Sequence, residues 1–208
     1  MDFRRPVEAV VGGVQGRLLA VLVEVTAPLT LRTLARLAEV SPAQASRVLP
    51  RLVDLGIVER HEVPPASQFV LARENIAAQT IVALAEVRER ALRQIGKAAS
   101  SIIRPVPIAV IAFGSLARGE ADGESDIDLL VVRHDDVDED SDQWSESLER
   151  WRRRVRALTG NDVEVLEASA SEAAAKLRGR SELWRDIKRD GVVVHGAGLD
   201  VLLEQAVA

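Results

Sequence analysis

The residues able to do chemistry gather between positions 114 and 128. Gly114-Ser115 interrupts a continuous apolar run, Ile108-Ala109-Val110-Ile111-Ala112-Phe113, and Asp126-Ile127-Asp128 leads into another, Leu129-Leu130-Val131-Val132. Both runs have the pattern of a strand buried on two faces. Side chains alternate along a strand, so Asp126 and Asp128 point the same way, about 7 Å apart, while Ile127 enters the core. Two carboxylates on one face repel each other unless a cation sits between them. Mg2+ (or Mn2+) is the natural choice, because it takes hard oxygen ligands and bridges carboxylates to phosphates. Gly114 lets the backbone approach a phosphate, the amides opening the next helix present donors, and Ser115 adds a hydroxyl. A phosphate at the turn and a metal on the aspartates are the parts nucleotidyl transfer needs. A hydroxyl attacks the α-phosphorus of an NTP in line, and pyrophosphate leaves.

The stretch GSLARGEADGESDIDLLVV, residues 114–132, resembles the nucleotidyltransferase domain of the DNA polymerase β superfamily, nearest the minimal nucleotidyltransferases of prokaryotes. The resemblance runs over about residues 105–196 and closes on LWRDIKRDGVVVHG. It implies that Gly114 and Ser115 hold the triphosphate, that Arg118 matches the arginine of the family's arginine-glycine pair, and that Asp126 and Asp128 bind the metal. It also implies a third carboxylate on a neighbouring strand. That strand is NDVEVLEAS, and the acid is Glu164, between Val163 and Val165, with Asp162 in reserve. The usual residue there is aspartate. A glutamate either ligates the metal, or serves as base for the attacking hydroxyl, or marks a weakened enzyme. The implied acceptor is a protein or RNA hydroxyl, as in toxin–antitoxin pairs, with a cognate toxin as one such partner.

The elements ahead of this motif follow a different pattern. Apolar residues at helical spacing predict a helix over Val14–Val25, and Thr30 caps a short helix through Ala38. Ser41-Pro42 then opens a third helix stopped by Gly56, with Pro50 expected to disturb its middle. Ile57–Arg60 and Phe69–Leu71 around Pro64-Pro65 read as a hairpin. Helix, short helix, turn, helix, hairpin resembles the winged helix-turn-helix of bacterial regulators over residues 14–73. In that class the third helix enters the major groove of DNA. Gln44, Ser46, Arg47 and Arg51 then face DNA, with Arg32, Arg60 and His61 near phosphates. The other reading of such a module is protein binding or dimerisation. Residues 74–101 predict one long helical run that either links the two halves or pairs two subunits in a homodimer.

The expected architecture is therefore α/β (α+β): a winged helix-turn-helix domain at 1–73, a linking helix at 74–104, and a nucleotidyltransferase domain with a mixed sheet and helices at 105–208. Charge agrees with two modules, since residues 1–105 carry +4 and residues 106–208 carry −9. A mildly basic half suits nucleic acid and an acidic half suits a bound cation. The absence of cysteine excludes disulfides, a thiolate zinc site and a cysteine nucleophile. With no apolar run of membrane-spanning length and no signal-peptide core, the chain reads as cytoplasmic, with no membrane partner.

Three further features are expected to be bland. The acidic run 135–140 reads as a solvated loop, and Arg150, Arg152, Arg153, Arg154 and Arg156 as a basic helix face able to grip phosphates. His134 and His195 are expected just after strands, and Leu199–Ala206 as a small packing helix. Two functions remain open: an NMP transferase, or a DNA-binding regulator whose transferase fold senses nucleotide without turning it over. An aminoglycoside-type transferase acting on a small molecule is a third, disfavoured by the DNA-binding module.

Overall fold

The structure, a computed structural model, describes residues 1–204. The chain divides into two compact units, one within residues 4–87 and the other taking in everything from Arg88 onward.

The first unit begins with α1 (Pro6–Val11), α2 (Gly13–Glu24), β1 (Leu29–Thr30), α3 (Leu31–Leu37) and α4 (Pro42–Asp54). The hairpin β2 (Val58–Val63) and β3 (Ala66–Leu71) follows, and then α5 (Ile76–Ala85). Local signals explain the helix starts. The Thr30 hydroxyl accepts from the Thr33 amide, while Ser41 and Gln44 form a reciprocal capping box. Leu18, Leu22, Leu34, Leu49, Leu52 and Phe69 centre the core. Three features depart from the sequence reading. α1 was not expected, and the loop before Thr30 contributes β1, which makes the hairpin a three-stranded sheet in the order β1-β3-β2. Pro50 does not interrupt α4, whose helix is continuous from Pro42 to Asp54. Pro50 is exposed, so water can take the Ser46 carbonyl it leaves unpaired, while buried Ala45, Leu49 and Leu52 hold the helix down.

The expected single helix over 74–101 is two. α5 lies in the first unit, and α6 (Val87–Ile102) belongs to the second from Arg88 on. Then come β4 (Ala109–Phe113), α7 (Gly114–Arg118), β5 (Ile127–Arg133), α8 (Asp142–Thr159), β6 (Val163–Ser169), α9 (Ala170–Arg178), α10 (Glu182–Asp190), β7 (Val192–Gly196) and α11 (Leu199–Glu204). The expected packing helix is thus present as far as Glu204, and its last two positions lie outside the described residues. His195 falls inside β7 rather than after it.

The four strands form a mixed sheet in the order β6-β5-β4-β7, with β5 and β6 parallel and the other pairs antiparallel. Ala109, Ile111, Leu130, Val132 and Ala168 pack with Leu177, Trp184, Ile187 and Leu202 of α9, α10 and α11. α8 is pinned by its two tryptophans, as Trp144 Nε1 donates to Glu167 of β6 at 2.7 Å and Trp151 Nε1 to the Ile95 carbonyl of α6 at 3.2 Å. α6 touches β7 backbone to backbone, because a Cβ on Gly96 would lie 1.8 Å from the Val194 carbonyl oxygen. Among the described residues, no helix is long and apolar enough to cross a membrane.

Candidate functional site

Two neighbouring strands set Asp128 beside Glu164, and the end of a third brings the Gly114 turn to them. Phe113, the last residue of β4, pairs with Asp128 of β5, so the Gly114 turn emerges beside that carboxylate. Asp128 is paired in turn with Glu164 across the parallel β5–β6 ladder. Cross-strand partners share a face, which puts Glu164 next to Asp128. Asp126 lies in the loop just before β5 and is exposed, as is Glu164, whereas Asp128 is half-buried.

Contact between turn and acid is direct. Gly114 has φ +65°, and a Cβ there would sit 2.1 Å from Asp128 Oδ2. Only glycine meets both demands, the left-handed backbone and the closeness of the carboxylate. Electrostatics register the same crowding. The Asp128 carboxyl is held above its ordinary pKa chiefly by burial, then by the negative charges of Asp126 and Glu164, with Arg118 opposing.

No three of the described aspartate, glutamate and histidine residues converge closely enough to form a metal cage by themselves. Glu164 has a basic neighbour: Arg152 of α8 donates from Nε to the Val163 carbonyl at 2.8 Å and lies 3.8 Å from the Glu164 carboxylate. Asp162, the reserve acid, is paired with Arg156 at 2.9 Å. Arg118 is exposed and bonded to Glu120 at 2.7 Å. Its pKa is raised first by that bond and then by the charges of Glu120, Asp190 and Asp186.

Two positioning contacts carried no signal in the sequence. The buried Asn161 amide donates to the carbonyls of Asp122 and Ser125 at 2.9 and 2.8 Å, clasping the loop that delivers Asp126. Arg88, in the first turn of α6, donates from Nε to the Leu116 carbonyl at 2.8 Å and from Nη2 to the Ala117 carbonyl. These are the closing carbonyls of α7. Partners 28 or more residues apart, joined through main-chain atoms, leave no pattern in residue types.

The other candidates separate by their partners. The acidic run is not simply solvated, since Asp135 accepts from the Ser171 amide and hydroxyl at 2.9 Å each and Glu139 pairs with buried Arg133. On α8, Arg150, Arg152 and Arg156 have acidic partners, while Arg153 and Arg154 have none among the described residues. In the first unit, Gln44 is spent in the capping box, the Ser46 hydroxyl donates to Ala43, and Arg60 pairs with Glu62 at 2.8 Å. Arg32, Arg47 and Arg51 are exposed and carry no partner among the described residues. An open cleft of about 760 Å³ runs alongside α4 and the hairpin, with Arg32, Ser46, Pro50, Arg60 and Phe69 on its walls.

The second unit is thus an α/β domain whose mixed sheet sets acids from two neighbouring strands against a glycine-serine turn. The chain belongs to the nucleotidyltransferase domain family, whose pattern matches residues 89–192. Two solved structures are similar to it. One is a toxin–antitoxin with AMP-PNP, 18% identical with a TM-score of 0.39. The other is a mutant of the toxin–antitoxin MntA-HpeT, 15% identical with a TM-score of 0.38. In each case the likeness covers 56% of this chain and 83% of the other. No curated protein matches the sequence.

Proposed function

We propose that the second unit transfers an NMP from an NTP to a hydroxyl of a protein or RNA acceptor. The observation that carries this reading is the packing of Gly114 against the Asp128 carboxylate, which sets the glycine-serine turn directly beside one of the paired aspartates. A hard divalent cation fits the residues present. The donors are all carboxylate oxygens, and the charges that raise the Asp128 pKa are the repulsion a dication relieves. Mg2+ commonly takes only one or two protein carboxylates and completes its shell with phosphate and water, so a three-acid cage is not required. Asp126 and Asp128 would hold the metal, whose charge would draw electrons from the α-phosphorus.

The chain's own groups supply the rest. Amides and hydroxyl at Gly114 and Ser115 bind triphosphate oxygens, and Arg118 exchanges Glu120 for phosphate. Glu164, exposed beside Asp128, takes the proton of the acceptor hydroxyl. The new bond joins acceptor oxygen to the α-phosphorus, the α–β bridging bond breaks, and pyrophosphate departs. Incubation with each α-labelled NTP and Mg2+, in the presence of cell protein and RNA, tests this reading. Wild type should label an acceptor that the Asp126→Ala/Asp128→Ala variant does not, and equal labelling by both defeats the assignment.

A second reading concerns the first unit. Its order of helices, turn and hairpin supports a winged helix-turn-helix reading, and Arg47 and Arg51, exposed on α4 and unpartnered among the described residues, favour DNA binding. Arg32 would meet phosphates, and operator binding would regulate the protein's own expression. Binding should weaken as salt rises. DNA affinity unchanged in Arg47→Ala/Arg51→Ala removes this reading. If the Arg152–Glu164 contact keeps the third acid from acting, NTP will alter DNA binding without any labelled product.

A further inference from the structure

We infer that Arg88 is the positioning residue that holds the nucleotide-binding turn in place. The inference rests on the proposed use of Gly114 and Ser115, yet it assigns a role to a residue outside the family-matching segment, which begins at position 89. α7 has only five residues, too few to hold its own geometry by internal hydrogen bonds. It needs anchoring at both ends. At its start, Gly114 is wedged against Asp128. At its close, Arg88 spans the Leu116 and Ala117 carbonyls with two arms of one planar guanidinium. The side chain is four-fifths covered, with 21% exposed, and its third arm reaches Glu89 at 3.2 Å.

The chemistry suits arginine and no other residue. A rigid fork can meet two carbonyls at once, where an ammonium offers a compact point charge. A cation at the carbonyl end of a helix is also favoured by the helix dipole. Because α6 is fixed in depth by Gly96 against β7, Arg88 ties the closing end of α7 to the sheet through a second helix, in addition to the strand α7 follows and the buried Leu116 and Ala117 that pack it down. Freed from that tie, the closing turn of α7 loosens, and a helix of only five residues passes that looseness on to the Gly114 and Ser115 amides. The acids stay on their strands.

The defect should therefore fall on nucleotide affinity more than on turnover. In the full chain, Arg88→Ala should raise the Kd for ATP with Mg2+, read by calorimetry, and the KM for NTP by about tenfold, with kcat within about threefold of wild type. Arg88→Lys should lie between the two proteins, and millimolar guanidinium should restore part of the affinity of Arg88→Ala. Amide exchange at residues 114–118 should quicken in Arg88→Ala while the β4 and β5 amides keep their protection. A Kd within twofold of wild type in Arg88→Ala overturns the inference, and so does a loss confined to kcat. Should Arg88→Ala fail to fold, Arg88→Lys decides by the same readings. A wild type that binds ATP without transferring it refutes the reaction and leaves the Arg88 comparison readable by Kd. A wild type that binds no nucleotide refutes both.

Discussion

Replacing Gly114 by alanine is the most direct perturbation of the site. Two costs arise, and they land on different observables. The backbone at φ +65° is left-handed, which costs a residue bearing a Cβ about 1 kcal/mol. For a unit of this size that is a fall of a few degrees in Tm. The added methyl would also sit 2.1 Å from Asp128 Oδ2, whereas ordinary contact begins at 3.4 Å. The carboxylate has to retreat by more than an ångström, and a displacement of that size at a reacting centre costs about a hundredfold in rate, or ~2.7 kcal/mol of barrier. Calorimetry would read the first effect, and transfer of α-labelled nucleotide under kcat/KM conditions the second. Gly123→Ala is the control, since a Cβ there meets nothing within 4 Å and the backbone is not left-handed. Transfer by Gly114→Ala within threefold of wild type would refute the idea that the turn and Asp128 form one site.

Other expected outcomes follow from contacts described above. Asp128→Asn should abolish transfer yet raise Tm near neutral pH when no divalent cation is present. Burial above all, then Asp126 and Glu164, raise the Asp128 pKa, so the folded chain binds that proton more tightly than the unfolded chain does. Wild type therefore loses stability as pH rises through the raised value, a loss asparagine escapes, and the two proteins should converge below the ordinary carboxylate pKa of about 3.9. A lower Tm for the variant at pH 7 would contradict this. Pro50→Ala restores the missing amide in α4 and should stabilise the first unit by about 1–3 kcal/mol in urea titration. Ser41→Ala removes the hydroxyl half of the capping box and should cost about 1 kcal/mol by the same measurement.

Much of the architecture was legible because its signals are local. Continuous apolar runs marked β4 and β5, the break at Gly114 marked the turn between sheet and helix, and hydroxyl residues marked the starts of α3 and α4. Glu164 was picked from its place between two valines, and the parallel ladder does set it beside Asp128. The register itself had no local signature, because the two residues meet only when distant strands pair. Nor could residue types show that Arg88 grips main-chain carbonyls, or that Arg152 lies against Glu164. The single long helix over 74–101 failed for a related reason: helical periodicity continues through Glu86, and the break there reflects which unit each half packs into. Pro50 misled in the opposite direction. Its local penalty is real, but three buried side chains on the same helix outweigh it.

The pairing of Phe113 with Asp128 has a consequence for motion. Adjacent strands of a sheet are rotated relative to one another, and that twist accumulates from strand to strand. Residues on the same rung ride together, so the glycine bend and the acid beside it keep their spacing while the sheet warps around them. Thermal breathing of the domain would then reshape the approach for an incoming molecule without disturbing the few atoms that have to stay in register with one another.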